Sequence, residues 1–475
     1  MKNLYQETIV APATTPGTGA ISIVRLSGPE CFRIVDAVVS LKSGTISDAK
    51  AYTIHYGEVH EPGKGVLDQV LVSVFRAPHS YTGEDSVEIS THASAYIVAK
   101  LVELLMAAGA RFAEPGEFTR RAFLNGKMDL AQAEAVADVI ASTSSAAHRV
   151  AMNQLRGGVS EELALLREEL LEMASLLELE LDFSDEEVEF ANRDQLLALV
   201  DNTLSHVEGL AASFRQGNLI KNGIPAVIVG PVNAGKSTLL NALLGEERAI
   251  VSDTEGTTRD TIEECLNIGG LLFRMIDTAG IRSTADTVEA LGIDRTFRKI
   301  SEAQLVIAVL DGSAQEDELL SNLKQLCERV DFALQKLILL LNKADKCADN
   351  EVNKNVITAN DYVLSIGGEC VTISTAVKEK KGLDLLKQAM YEAEKDLVPN
   401  ENSTFITNTR HLEALTNAVA ALRDVRTSLT RNIPTDLVAE ELRRSLSAIN
   451  TILGTGLLDP DTILRSIFSK HCIGK

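Results

Sequence analysis

Eight residues near the middle of the chain, Gly230-Pro-Val-Asn-Ala-Gly235-Lys236-Ser237, restrict the possible folds more than any other stretch. They fit the pattern G-x-x-x-x-G-K-[ST], in which successive backbone N–H groups wrap round a β-phosphate and lay it at the N-terminus of the next helix. Such a loop works only between a strand and a helix. Ile224 and the run Ala226 to Val229 supply the apolar strand, and Thr238 to Leu244 reads as a helix closed by Gly245. In that frame Lys236 reaches the β/γ oxygens and is the first catalytic candidate, and Ser237 holds Mg²⁺. Asn233, Ala234, Gly235 and Thr238 complete the cradle.

Three further elements follow at the spacing of a GTPase. Asp277-Thr278-Ala279-Gly280 ends the apolar run Leu271 to Ile276, so Asp277 can reach Mg²⁺ through water and the Gly280 N–H can meet a γ-phosphate. Asn342-Lys343-Ala-Asp345 ends the run Leu337 to Leu341, and the Asp345 carboxylate can accept hydrogen bonds from N1–H and the N2 amine of guanine. Adenine offers no such pair of donors, which makes the preference large. Ser374-Thr375-Ala376 is expected to complete the base pocket with backbone N–H groups. Between the first two elements, Ser252-Asp253-Thr254-Glu255 leads into Gly256-Thr257-Thr258-Arg-Asp260, a switch whose Thr258 hydroxyl joins Ser237 on Mg²⁺. After Gly280 comes Ile281, which cannot orient an attacking water as the glutamine of Ras-like GTPases does. Glu289 is the preferred substitute and Asp286 the second, although Glu289 also reads as the first residue of a helix reaching Ile300. Asn233 stands where its amide oxygen can hold a monovalent cation against the phosphates.

A chain of 475 residues exceeds one core and suggests about three domains. Residues 1–120 read as a mixed α/β domain with strands over Ala20–Leu26, Gln69–Phe75 and Ser86–Ser90 and a helix over Ala95–Ala108. Residues 121–222 are helical, with Leu163, Leu166, Leu170, Leu177 and Leu181 on one stripe and Leu196, Val200, Leu204, Val207 and Leu210 on another. The acidic run Asp182 to Glu189 between them reads as a solvated connection. Strand and helix then alternate over 223–397, with strands at 225–229, 262–268, 271–276, 305–310, 336–341 and 370–373 and a hairpin turn at Gly269-Gly270. Helices return over 398–475, with stripes Leu412, Leu415, Val419, Leu422, Val425, Leu429 and Leu437, Leu442, Leu446, Ile449, Leu453. Helical sequence on both sides of an α/β block predicts one helical domain with the α/β domain inserted in it.

The formal charge of −21 disfavours extended neutralisation of nucleic-acid phosphates, so any RNA contact is expected to be local or shared with a basic partner. Cys31, Cys265, Cys327, Cys347, Cys370 and Cys472 form no C-x-x-C pair, which argues against a disulfide framework or zinc knuckle. The N-terminus carries Gln6 and Glu7 where a signal peptide needs an apolar run, and no apolar run approaches the roughly 20 residues of a membrane span. A cytoplasmic protein is expected. The ending Cys-Ile-Gly-Lys475 is a poor prenylation signal.

NAGKSTLLNALLG, GTTRDTIEE, DTAGIR and NKAD, with the N-terminal TIVAPATTPGTGAISIVRLSG, the central FTRRAFLNGKMDLAQAEAVADVI and the terminal FSKHCIGK, together resemble the MnmE (TrmE) family of tRNA modification GTPases. The resemblance runs from about residue 7 to 475. It implies an N-terminal α/β domain that dimerises and binds a tetrahydrofolate, a central helical domain, and an inserted Ras-like P-loop G domain. It implies K⁺ held by Asn233, by the backbone of Ser252 and Thr254 and near Thr257; Mg²⁺ at Ser237 and Thr258; and Glu289 orienting water. It implies 5-formyl- or 5,10-methylene-tetrahydrofolate held by Arg25, Glu88, Lys127 and Lys475, with Cys472 nearby. By themselves Arg25 and Lys127 read as surface residues. The implied activity is potassium-dependent GTP hydrolysis coupled to C5 modification of the wobble uridine of tRNA, in a homodimer working with the flavoprotein MnmG as a heterotetramer. The family often has proline where Val232 stands, and glycines around His92.

Two other functions use the same motifs: a GTP-controlled ribosome-assembly switch, and a folate-dependent transferase with a regulatory GTP site. The acidic composition disfavours the first. With Asp345 reading guanine, kcat/KM for GTP is expected to exceed that for ATP by more than about a hundredfold. Phosphate release from the two nucleotides checks this; equal rates would remove the base assignment.

Overall fold

The structure is a computed structural model, and it describes residues 7–182, 193–247, 264–276, 299–400, 403–431, 433–455 and 474. It is mixed α/β with many helices. Its contacts divide it into two compact units, one of residues 1–137, 155–199 and 424–475, the other of residues 138–154 and 200–423.

The first unit holds a seven-stranded sheet in the order β3-β4-β5-β6-β2-β1-β7, built from Ile9–Pro12 (β1), Ile21–Ser27 (β2), Val39–Leu41 (β3), Thr53–Glu61 (β4), Gly65–Phe75 (β5), Ser86–His92 (β6) and Arg111–Phe112 (β7). Alternation fixes its faces. Val24 and Leu26, Val70, Val72 and Val74, and Val87 and Ile89 point to one side, where Ile34 and Val35 of the helix Cys31–Asp36 and Leu101 and Leu105 of the helix Ala95–Ala107 cover them. Arg25 and Glu88 lie on the other side, directly opposite each other across β2 and β6.

In the same unit the helix Gly158–Asp182 buries Leu163, Leu166, Leu170 and Leu177, as its spacing predicts, and packs on the helix Thr435–Leu453. The stripe predicted for the latter is displaced. Leu437 is 55% exposed, and the buried face runs through Val438, Leu442, Ser445, Ile449 and Ile452. That set keeps helical spacing from Val438 onward, which Leu437 breaks. The acidic connection, other than Asp182, lies outside the described residues.

The second unit is built on a six-stranded sheet in the order β13-β12-β11-β8-β10-β9: Ile224–Val229 (β8), Glu264–Ile268 (β9), Leu271–Met275 (β10), Leu305–Asp311 (β11), Lys336–Asn342 (β12) and Cys370–Ser374 (β13). All neighbours pair in parallel except β9, which returns antiparallel to β10 through Gly269-Gly270, both at positive φ (59° and 83°). Helices cover both faces, so the central strands are nearly continuous apolar runs. Ile228, Ile307, Val309 and Ile338 meet the helices Lys236–Glu247 and Leu383–Glu394; Val227, Val306, Leu339 and Leu341 meet Glu316–Cys327 and Asp349–Ser365. The chain leaves β8 for β10 on one side and reaches β11 on the other, so the strand order reverses at β8 and opens a ligand crevice at its carboxyl end. Gly245 does not close the helix after the phosphate loop, which continues to Glu247; a Cβ there would meet nothing within 4 Å. No helix among the described residues is long and apolar enough to cross a membrane.

Beneath the N-terminal sheet, Glu117 (1% exposed) is held by Arg111 at 2.5 Å and Arg121 at 3.0 Å, and Arg121 also reaches Glu84 at 3.1 Å. Burial would raise the Glu117 carboxyl, but the Arg111 hydrogen bond, the Glu114 N–H and the Arg121 charge outweigh it and hold it below the usual glutamate range. A depressed pKa gives stability that is present above the unfolded value and lost as pH falls through the folded one. In urea melts, the unit's midpoint is expected to fall below about pH 4. Glu117→Gln is expected to cost about 3–5 kcal/mol at pH 7 and to flatten that acid slope; an unchanged slope would contradict the assignment.

Candidate nucleotide-binding site

The phosphate loop leaves the carboxyl end of β8 against β11. Gly230 stands at φ 144°, and a Cβ there would lie 2.0 Å from the Val309 carbonyl oxygen, so only glycine lets the loop pass. Asn233 is at φ 62°, a left-handed conformation that asparagine tolerates better than most residues. It is exposed at the loop's apex, and its amide makes no hydrogen bond among the described residues. Lys236 opens the helix and folds back, its ammonium donating to the Gly230 and Pro231 carbonyls at 2.8 Å each. Burial pushes its pKa below the ordinary lysine value, which a phosphate oxyanion would oppose. Ser237 and Thr238 stand on the same first turn.

The geometry gives Asn342 a role that its motif does not announce. It is 6% exposed, and its Nδ2 donates to the Ala234 carbonyl at 2.8 Å while its Oδ1 accepts from the Val377 N–H at 3.2 Å. One side chain thus ties the phosphate loop to the loop after β13. The fit is close, since a Cβ on Gly235 (φ 106°) would lie 2.2 Å from Asn342 Nδ2. Lys343, at φ 65°, turns its ammonium to Asp311 at 2.5 Å. Burial would raise the Asp311 carboxyl, but the hydrogen bonds from Lys343 and Ser313 hold it below the usual range. Asp345 stands exposed on the short turn Ala344–Lys346.

The Ser374-Thr375-Ala376 stretch lies beside this turn, and its N–H groups are used differently from the sequence expectation. The Thr375 N–H donates to the Leu341 carbonyl at 2.8 Å and the Ala376 N–H to Lys381 at 3.2 Å, while the Thr375 carbonyl accepts from Ala344 N–H at 3.1 Å. The buried Thr375 hydroxyl has no partner among the described residues. Gly382 (φ 83°) lets the loop close, since its Cβ would lie 2.8 Å from the Ser374 carbonyl oxygen. Asp311, Val377 and Gly382 were not singled out by the sequence reading. The only local signal was the turn-forming Asp311-Gly-Ser after an apolar strand.

The nucleotide candidates Ser252, Asp253, Thr254, Glu255, Gly256, Thr257 and Thr258, then Asp277, Thr278, Ala279 and Gly280, and the acids Asp286 and Glu289, lie outside the described residues.

In the first unit, Arg25 and Glu88 meet each other. Nη2 and Nε of Arg25 lie 2.8 Å and 2.9 Å from Glu88 Oε1, with the two side chains 17% and 25% exposed. The guanidinium stacks 5.2 Å from the Tyr81 ring centroid and 5.7 Å from that of Phe118. Its Nη1 donates to the Gly474 carbonyl at 3.3 Å, which sets that residue beside the pair. Lys127 is exposed and donates to the Pro78 carbonyl at 3.1 Å. Lys475 and Cys472 lie outside the described residues.

A family model described as the GTP-binding protein TrmE N-terminus matches residues 8–127, and one described as the MnmE helical domain matches residues 130–472. Among curated proteins, one from Bacteroides fragilis is 47% identical over 474 residues, covering 99% of this chain and 100% of that one. One from Flavobacterium johnsoniae is 47% identical, with coverage of 99% and 100%, and one from Porphyromonas gingivalis 46% identical, with 100% and 99%. All three are named tRNA modification GTPase MnmE.

Asn342→Ala leaves the Ala234 carbonyl and Val377 N–H unpaired and releases the phosphate loop from the base loop. Guanine nucleotide affinity is expected to fall about 10- to 100-fold, equivalent to roughly 1.4–2.8 kcal/mol, with little loss of secondary structure. Titration calorimetry with GDP checks it; unchanged affinity would contradict the role given to Asn342.

Proposed function

Because the chain belongs to the MnmE family of tRNA modification GTPases, and so is a GTP hydrolase acting in tRNA modification, we propose that it cleaves GTP with the help of potassium and couples that cleavage to C5 modification of the wobble uridine. The observation that carries the reading is the joining of the phosphate loop to the start of Asn342-Lys-Ala-Asp345 by the Asn342 amide. One end of that assembly offers N–H groups and Lys236 to phosphates; the other offers Asp345 to guanine.

Lys236 would draw the β/γ oxygens into the loop, Ser237 and Thr258 would hold Mg²⁺, and Glu289 would orient the attacking water in place of the side chain that Ile281 lacks. Bound there, Mg²⁺ and K⁺ would supply positive charge against the phosphate oxygens. Asn233 fits the potassium role, since its exposed amide stands at the loop apex in a fixed left-handed conformation. Ser252 and Thr254, through their backbone, and Thr257 nearby would complete that cation's surroundings.

The domains are 1–120, 121–222 with 398–475, and the inserted 223–397. In the first of these, Arg25 and Glu88 fit a folate. Each is partly exposed and aromatic rings flank the guanidinium, so the carboxylate can accept from a pterin and the cation can meet an acid tail. Lys127 and Lys475 add positive charge. A bound 5-formyl- or 5,10-methylene-tetrahydrofolate would supply the one-carbon unit.

Homodimer formation is supported by the open sheet face. Ile54 (67% exposed) stands in the same cross-strand row as the Arg25–Glu88 pair, and Tyr56 (38%) and Leu71 (48%) lie one row away, an apolar surface that a second copy would cover. The flavoprotein MnmG completes the modifying assembly, and the acidic chain relies on that partner for much of its hold on tRNA.

GTP cleavage by the purified chain is expected to be at least about tenfold faster in potassium than in sodium chloride at equal ionic strength. Asn233→Ala is expected to abolish the difference while leaving GDP affinity within a few-fold. Equal rates in the two salts would sink the potassium reading.

A further inference from the structure

Besides the nucleotide site, the second unit contains a junction whose parts are distant in sequence. The hairpin of β9 and β10 lies in the chain between residues 248–263, which hold the switch with Thr258, and residues 277–298, which hold Asp277, Gly280 and the candidate acids Asp286 and Glu289 and count here as the second switch. Its tip rests on the helix Ser145–Leu155. The Ala146 N–H donates to the Gly270 carbonyl at 3.1 Å, and Asn267 Nδ2 donates to the Thr143 carbonyl at 3.2 Å. A Cβ on Gly270 would lie 2.2 Å from Ser145 Oγ, so tip and helix end touch. Below this contact, Ala146, Ala147 and Val150 share one core with Leu266, Ile268, Leu271 and Phe273 of the hairpin. The Ser144 hydroxyl accepts from the Ala147 N–H at 3.2 Å and caps the helix at the point of contact.

The same helix grips the segment by which the chain leaves the α/β block. Arg149 donates to the Pro399 carbonyl at 2.8 Å, Asn153 to Ser403 at 2.9 Å, and Gln154 to Phe405 at 2.8 Å and Thr407 Oγ1 at 3.1 Å. One helix therefore holds both the strand pair that joins the switches and the chain's exit. Because packed contacts of this kind have discrete arrangements, a shift of the hairpin obliges the helix to follow or the interface to break.

Resting on the GTPase reading above, we infer that the helix Ser145–Leu155 carries the nucleotide state out of the GTP domain, by reading the hairpin between the switches and passing its position to the exit segment 399–407. The coupling is a property of the contact and is separate from the groups that cleave GTP.

The test is hydrogen–deuterium exchange on the full-length chain in potassium buffer, with GDP and with GDP plus aluminium fluoride. Amides of residues 145–155 are expected to exchange at least about threefold more slowly in the second state. The variant Asn267→Ala/Ser145→Glu removes two bonds, Asn267 Nδ2 to the Thr143 carbonyl and Ser145 Oγ to the Gly270 carbonyl at 3.4 Å, and sets a carboxylate against the latter, while a negative charge at a helix N-terminus favours the helix itself. In this variant the difference is expected to fall below about 1.5-fold, with single-turnover GTP cleavage within about threefold of the unaltered chain and tRNA modification in complemented cells reduced at least about fivefold. Identical exchange in the two states of the unaltered chain overturns the inference. So does a variant that retains its helical circular dichroism but loses GTP cleavage, because the contact would then belong to the hydrolytic machinery. Failure of the unaltered chain to cleave GTP at all would strike the GTPase reading instead.

Discussion

The nucleotide site depends on one buried amide. Asn342 ends a strand whose leucines are covered on both faces, so its position is fixed by the core rather than by the site it serves. From there it holds the Ala234 carbonyl on one side and the Val377 N–H on the other. The phosphate loop, crowded past β11 at Gly230 and bent at Asn233, has no other side-chain tie of this kind to the base-reading loops among the described residues. In a closely packed interior such a tie transmits position with little slack. Recognition of the base and of the phosphates is in this way a property of one assembly.

Features set by neighbours in sequence were legible. A G-x-x-x-x-G-K-S loop needs a strand before it and a helix after it, and both are local patterns. The Gly269-Gly270 turn is likewise local, since positive φ at two successive residues selects glycine. Leucines of Gly158–Asp182 repeat at helical spacing over several turns, long enough for one face to be unambiguous. The helix Thr435–Leu453 offered Leu437 and Val438 side by side, and apolar character alone does not choose between them; packing against Gly158–Asp182 does.

Features set by long-range geometry were not legible. The motif containing Asn342 names the residue but not its partners at 234 and 377. The buried Glu117 and Arg121 and the partly exposed Glu84 form one network from charges that sequence alone would leave in water. Arg25 and Glu88 were identified through family resemblance as separate ligands, and only the pairing of β2 with β6 shows that they meet each other. The grouping of Ser145–Leu155 with the α/β unit is of the same kind: its apolar face is ordinary, and what it covers is decided by residues more than a hundred positions away.

Membership of the MnmE family and the geometry of the site converge on a GTP hydrolase whose work is done on tRNA. The most direct test is nucleoside analysis, by mass spectrometry, of tRNA from cells lacking this chain. The account predicts that the aminomethyl-type group at C5 of the wobble uridine disappears and is restored by the intact gene but not by one carrying Asn342→Ala. A nucleoside profile unchanged by loss of the chain would contradict it.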